Sequence, residues 1–190
     1  MSLEGKRTIL REERLEDQPF LVQLRNNLET QAWSKALPPD FTLEMYQKRF
    51  SDREFSYQRD DGRFIIVAKE SGEPVGSIVY SGVAARWEAT LGIMLAKKHW
   101  GSGYANDAIE TLLRFLFEEL GLRVLRLWTH SGNRRAIGSA EKLGFKISYR
   151  QRQAVFKAGQ LYDNVGMDLL REEYYALHPE LTDGMPRWGR

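Results

Sequence analysis

The densest chemistry in the chain lies in Lys98-His99-Trp100-Gly101-Ser102-Gly103-Tyr104-Ala105. Glycines let successive backbone N–H groups turn toward one point, and a helix start adds unpaired donors with a favourable dipole. Such a segment makes an anion site. Ala105 leaves room for a phosphate to approach, and Lys98 and His99 can add positive potential. The ligand read from this pattern is a pyrophosphate. Taken alone, Gly101 and Gly103 need do no more than shape a strand-to-helix turn. Two other phosphate motifs do not fit. The dinucleotide fingerprint requires a third glycine where Asn106 stands and an acidic residue closing the next strand, and no Gly-Lys-Ser/Thr ending makes a nucleotide P-loop.

The loop is positioned by a strand before it and a helix after it. From Trp87 to Leu95 the chain alternates, with Trp87, Ala89, Leu91, Ile93 and Leu95 directed to a core and Glu88, Thr90, Gly92 and Met94 to a partly polar face. After the loop, Ala105, Ala108, Ile109, Leu112, Leu116 and Leu120 recur at helical spacing, with Gly121 as the cap. Val124–Thr129 reads as a strand. Asn133 caps a helix with Ala136, Ile137, Ala140 and Leu143 inward, ended by Gly144. Strands near Phe145–Phe156 and Leu161–Leu169 follow, joined by a Lys157-Ala158-Gly159-Gln160 turn.

Upstream, Thr8–Arg11 is a short first strand. Asp17 and Pro19 start a helix carrying Phe20, Leu21, Leu24 and Leu28 on one face. Trp33–Asp40 is a loop stiffened by Pro38-Pro39, and Thr42 caps a second helix with Leu43, Tyr46 and Phe50 on one face. Strands Phe64–Lys69 and Val75–Tyr80 flank the turn at Ser71-Gly72-Glu73-Pro74. The order β-α-α-β-β-β-α-β-α-β-β predicts an α/β (α+β) domain with a single mixed, largely antiparallel sheet and helices on both faces.

At this point the sequence resembles the GCN5-related N-acetyltransferase (GNAT) superfamily. Its acetyl-CoA motif, Arg/Gln-x-x-Gly-x-Gly/Ala, stands here as Lys98-His99-Trp100-Gly101-Ser102-Gly103, with Lys98 in place of the usual first residue. Asn133-Arg134-Arg135-Ala136, followed by Glu141-Lys142-Leu143-Gly144-Phe145, matches the family's second motif in spacing. The resemblance covers about residues 7–172. It implies a GNAT fold over one domain, 1–190, with a tail from about 178. Trp100-Gly101-x-Gly103-Tyr104-Ala105 and Gly159-x-x-x-Asp163 resemble the branch containing ribosomal-protein N-terminal acetyltransferases (RimJ/RimL type), which also includes enzymes for polyamines and other small amines.

The resemblance implies two central strands that splay apart and admit the pantetheine arm of acetyl-CoA, the co-substrate. Backbone groups of Met94, Leu95 and Ala96 are then expected to bond the arm as an added strand would. The amides of Trp100, Gly101, Ser102, Gly103, Tyr104 and Ala105 hold the pyrophosphate, and Asn133 faces the arm, caps its helix, or does both. Without cysteine, direct attack of an amine on the thioester is the economical mechanism. Deprotonation at pH 7 costs ~1 kcal/mol for an α-amine and ~4.6 kcal/mol for a lysine.

Glu88, on the polar face of its strand, is the candidate base, although the family often places an acid nearer Thr90; a solvated strand carboxylate is the plain alternative. The family's Tyr or Ser that protonates the thiolate is replaced by Ala136 and Ala140, helical phase directs Ser139 elsewhere, and Tyr104 or water is left for that role. Arg134 and Arg135 suit either the adenosine 3′-phosphate or a basic solvent face. His130 reads as a surface loop histidine and Glu118-Glu119 as a solvated helix end. Trp33, Trp87 and Trp128 read as core or cleft-wall residues.

The expected activity is acetyl transfer to a primary amine, with a protein N-terminus favoured over a small amine such as a polyamine, aminoglycoside or amino acid. A catalytically weak acyl-CoA-binding module is the non-enzymatic alternative. Composition bounds these readings. At 190 residues, 42% hydrophobic and 28% charged, the chain suits one globular domain. Its lack of cysteine excludes disulfides and thiolate metal sites and fits the cytoplasm. His99, His130 and His178 show no metal-ligand spacing, and a net charge of +2 gives no nucleic-acid footprint. Residues 1–7 lack the apolar core of a signal peptide, the first three carry no weight, and no apolar run is long enough for a membrane span. A monomer or homodimer is expected.

Overall fold

The computed structural model describes residues 2–31, 42–54, 61–84 and 87–181. The loop around Trp33 and Pro38-Pro39, and the tail from 182 onward, lie outside the described residues. An eight-stranded sheet runs in the order β1-β2-β3-β4-β5-β6-β8-β7. Its strands are β1 (Ser2–Glu4), β2 (Thr8–Glu12), β3 (Gly62–Ala68), β4 (Pro74–Ala84), β5 (Glu88–Leu95), β6 (Val124–His130), β7 (Lys146–Lys157) and β8 (Gln160–Leu170). Every neighbouring pair is antiparallel except β5 and β6. The helices are α1 (Gln18–Asn26), α2 (Leu28–Gln31), α3 (Leu43–Glu54), α4 (Tyr104–Arg114), α5 (Arg134–Lys142) and α6 (Arg171–Leu177).

Strand alternation divides the core between the two faces. Leu10, Phe64, Ile66, Ile78, Ala89 and Leu91 pack with Ala108, Leu112 and Leu116 of the α4 segment. Ile65 and Val67, one residue out of phase on β3, pack instead with Leu21 of α1 and Tyr46 of α3. Helices therefore lie on both faces, as the element order predicts. Thr42 caps α3 through a bond from the Met45 amide at 3.2 Å. The turn between β7 and β8 takes left-handed residues at Ala158 (φ 49) and Gly159 (φ 77), which suits the twist of a tight hairpin.

Several expectations are corrected. Ser2 and Leu3, given no weight in the sequence, join Glu4 in edge strand β1 against Ile9–Arg11. Asp17 and Pro19 do start α1, with Asp17 as its N-cap residue, but the Asp17 side chain takes both guanidinium nitrogens of Arg11 at 2.7 Å and the Arg14 amide at 2.8 Å. Asn27 breaks the first helix with an extended backbone, so Leu28 begins α2 and is exposed. After α4 the chain makes a π-turn over Phe115–Glu119 before Gly121 (φ 66) ends it. Glu118 is not solvated: one of its oxygens is covered, and burial pushes its carboxyl pKa up. Ahead of the tail expected from about 178, α6 packs on the domain by stacking Tyr174 on Phe117 with ring centroids 4.8 Å apart. Among the described residues, no helix is long and apolar enough to cross a membrane.

Candidate active site

The β5–β6 pair is short. Glu88, Ala89 and Thr90 pair with Val124, Leu125 and Arg126, and the register ends there. Beyond it the strands part around a cleft of about 650 Å³, walled by β5 from Leu91 to Leu95, by the glycine loop and first turns of α4, by Leu127–Thr129 of β6, and by α5. The parting also explains Ile93. Alternation puts it on the core face, yet it is exposed and lines the cleft because no strand covers that stretch. Trp87 departs from the pattern in another way: it lies outside the core, under the Arg123 guanidinium at 4.7 Å.

The open edge of β5 presents unequal backbone groups. Ala96 N donates to Val75 O on β4, and the antiparallel ladder then commits Met94 to β4 as well. Ile93 and Leu95 consequently turn their N–H and C=O groups toward the opening. Of the expected trio, only Leu95 offers its backbone there, and its carbonyl accepts a bond from the Trp100 indole N–H at 2.9 Å. Met94 contributes its side chain to the wall instead.

Gly101 (φ 79) and Gly103 (φ 87) are both left-handed, a conformation that turns neighbouring amides to one side. Trp100 N donates to Lys97 O, and Tyr104 N donates a long bond of 3.4 Å to the Ser102 hydroxyl oxygen. Among the described residues, the amides of Gly101, Ser102, Gly103, Ala105 and Asn106 have no acceptor. They form a nest of unsatisfied donors at the start of α4, next to the open strand edge. Such a nest fits a diphosphate, and the edge beside it fits an amide-bearing arm.

The loop is braced from behind. Asp107, in the first turn of α4, accepts from the amides of Lys6 (2.9 Å), Arg7 (3.0 Å) and Thr8 (2.8 Å) and from the Thr8 hydroxyl (2.6 Å). Burial opposes its charge, but these donors outweigh burial and hold the carboxyl below its usual pKa. Arg7 donates to the Ser102 carbonyl, and its guanidinium lies 5.0 Å from the centre of the Tyr104 ring.

On the opposite wall, Asn133 Oδ1 caps α5 by accepting from Ala136 N at 3.3 Å, while its Nδ2 donates to Thr129 at 3.1 Å. Both Asn133 and Thr129 are buried and line the cleft. Arg135 stacks its guanidinium 4.1 Å from the centre of the Trp100 ring, joining α5 to the glycine loop. Ser139 does not point away from the cleft, contrary to its helical phase. It lines the cleft and donates to Asn106 Oδ1 on α4. Ala136 and Ala140 line the cleft without a hydroxyl.

The remaining candidates fall elsewhere. Glu88 is outside the cleft lining, its carboxylate bonded to Arg126 Nε at 2.9 Å. The Tyr104 hydroxyl donates to Glu70; that bond, with burial second, pushes the phenol pKa up and makes it a poorer proton donor. Lys98 pairs with Glu73 at 3.6 Å on the surface. His99 lines the cleft, but burial, with Lys98 nearby, pushes its pKa down, so it is neutral at pH 7. The cleft's positive charge comes instead from Arg134, Arg135 and Lys142 of α5. His130 ends β6 and is 2% exposed, a buried residue rather than a surface one. Trp128 is a cleft-wall residue as expected. Sequence reasoning missed Arg7, Asn106 and Ser139; Asn106 was readable as the residue closing the nest, whereas Arg7 lies far from the loop in sequence.

A family model, the acetyltransferase (GNAT) domain, matches residues 7–146. The chain is 32% identical over 123 residues to a prophage-derived uncharacterized N-acetyltransferase, YokL, of Bacillus subtilis, covering 64% of this chain and 68% of that one. It is 25% identical over 174 residues to an uncharacterized N-acetyltransferase, p20, of Bacillus licheniformis, covering 91% and 98%. In structure it is similar to the spermidine N-acetyltransferase of Vibrio cholerae in complex with CoA and spermine, with TM-score 0.82 at 20% identity over 90% of this chain and 99% of that one.

Proposed function

The chain belongs to the acetyltransferase (GNAT) family and is an acetyl-CoA-dependent N-acetyltransferase; from that premise we propose that its acceptor is the N-terminal α-amine of a protein or peptide. One observation carries this reading. Among the described residues, the titratable side chains lining the cleft are His99, Arg134, Arg135 and Lys142, and none is a carboxylate. A cleft without a carboxylate has neither an anion to hold a polycation nor a carboxylate base to take its proton. An α-amine titrates near pH 8, so it is substantially neutral without help, whereas a lysine-like amine is almost fully protonated at pH 7.

Acetyl-CoA supplies the acyl group as an activated thioester. The amides of Gly101, Ser102, Gly103, Ala105 and Asn106 would hold its diphosphate. Ile93 and Leu95 would bond its arm along the open edge of β5, where Leu95 O already accepts the Trp100 indole N–H. Arg134, Arg135 and Lys142 supply positive potential beside the phosphates. Asn133 and Thr129, fixed by their mutual bond, would orient the arm near the parting of the strands. The amine nitrogen then forms a bond to the acyl carbon, the carbon–sulfur bond breaks, and the amine's proton leaves through water.

Thiol release measured with short peptides, spermidine and amino acids, each at saturating acetyl-CoA, tests the reading. Turnover of free peptide N-termini at least ten times faster than spermidine at pH 7.5 is expected, on the order set by the two amines' protonation. Preferential turnover of spermidine would overturn it in favour of the polyamine acceptor named for the Vibrio cholerae enzyme.

A further inference from the structure

Trp128 on β6, Gly166 on β8 and Tyr149 on β7 stand directly opposite one another, so their side chains share one row on one face of the sheet. Trp128 and Tyr149 are each 44% exposed, an unusual cost for two large aromatics side by side unless something covers them. Gly166 makes the row possible. A Cβ there would collide with Tyr149 ring carbons, so the ring lies flat across β8, on the side of Trp128. Asn164, 2% exposed, anchors that edge of the row by donating to Gln151 at 2.9 Å and, at 3.4 Å, to the Tyr149 hydroxyl oxygen.

The row is continuous with the cleft. Trp128 lines it, and extending the β5–β6 register by two residues past Thr90 and Arg126 puts Gly92 across the gap from Trp128. Gly92 has no side chain to close the passage. Among the described strand residues beside the opening, the carboxylates of the same face are Glu88 and Asp168, and both pair with Arg126, at 2.9 and 3.6 Å. What this face presents beside the opening is thus aromatic surface, with one arginine shared between its two carboxylates.

We propose that Trp128 and Tyr149 form the acceptor shelf, on which the side chain of a peptide's second residue rests while its N-terminal amine reaches through the parting of β5 and β6. The inference rests on the peptide-acceptor reading above and deepens it. Aromatic shelves of this kind favour apolar or flat side chains and planar peptide groups. An extended polycation would need several carboxylates free of a cation, whereas the two here share Arg126 and leave a single net negative charge. The shelf therefore selects a peptide whose second residue is large and apolar.

The test measures acceptor KM for tetrapeptides that differ only in Phe, Leu or Gly at the second position, with wild type, Tyr149→Ala, Tyr149→Phe and Gly166→Ala. Wild type is expected to prefer Phe and Leu over Gly. Tyr149→Ala should raise KM for the Phe peptide about tenfold and abolish the preference, leaving the KM for acetyl-CoA in place. Tyr149→Phe should restore the preference, and Gly166→Ala, which displaces the ring without removing it, should repeat the loss. Equal peptide KM values in wild type and Tyr149→Ala would overturn the shelf alone. Turnover of spermidine with none of any peptide by wild type would overturn the peptide reading and the shelf together.

Discussion

The guanidinium of Arg7 donates to the main-chain carbonyl of Ser102, so a residue at the head of β2 fixes a peptide in the middle of the phosphate nest. With Ser102 O held on that side, the neighbouring amides are directed away from it, toward the cleft. Arg7→Ala should raise the KM for acetyl-CoA about fivefold, the effect of losing roughly 1 kcal/mol of charge-assisted bonding, with kcat little changed. S-acetylpantetheine lacks the diphosphate, so its KM should not move. Equal losses with both donors would assign Arg7 a general structural role.

Substitution inside the nest acts through the backbone. A Cβ at Gly101 meets nothing within contact range, so its objection is conformational: φ is 79°. At Gly103, φ is 87° and a Cβ would also come within 3.1 Å of the Arg7 guanidinium. Valine at either position costs about 1–2 kcal/mol in a left-handed conformation and turns the amides out of register. Calorimetric titration with CoA should show affinity reduced by about tenfold or more, while thermal unfolding falls by only a few degrees. Unchanged affinity would reject the nest.

What the sequence disclosed and what it hid follow a physical division. Gly101, Gly103 and the Asn133 cap were legible because each acts through its own backbone or the next helical turn. Ile93 was misread because alternation gives the side of a strand a residue faces, but not whether a neighbouring strand is there to cover it. Ser139 was misread for a related reason: the cleft wraps a wide arc of α5, reaching Asn106 on α4, and phase counted from Asn133 alone misses that arc. His130 and Glu118 are buried by partners from β8 and α6, elements distant in sequence.

Asp107 should prove the main electrostatic support of the loop. Asp107→Asn places amide hydrogens against donors from Lys6, Arg7 and Thr8, and should destabilise the protein by roughly 2–3 kcal/mol at pH 7. The folded pKa is depressed, so the wild-type contribution is complete above the unfolded carboxyl value, about 3.9, and lost as pH falls through the folded value. Denaturant melts at pH 7 and pH 3 should show the wild-type advantage shrinking in acid. A constant difference would show that geometry, not charge, carries the effect.

Glu88 tests whether a side chain serves as base. A base role requires Glu88→Gln to lose rate chiefly at low pH. Its bond to Arg126 at 2.9 Å and its place outside the cleft lining lead to a different expectation: a modest loss, about twofold, parallel at all pH values, from releasing Arg126. A loss concentrated at low pH would restore Glu88 as the base.

Without a carboxylate in the described cleft, the acceptor's own ionisation should govern the rate. For a peptide, log kcat/KM should then rise with unit slope and level off near the α-amine pKa, about 7.7–8.0. The plateau should shift with the amine when peptides of different N-terminal pKa are compared, because the titrating proton belongs to the substrate. His99 would not interfere, since burial holds it neutral through this range. A plateau fixed at one pH for every peptide would instead reveal an enzyme group doing the deprotonation. The described cleft holds no carboxylate for that task, so the group would be the His99 imidazole or one from beyond its walls.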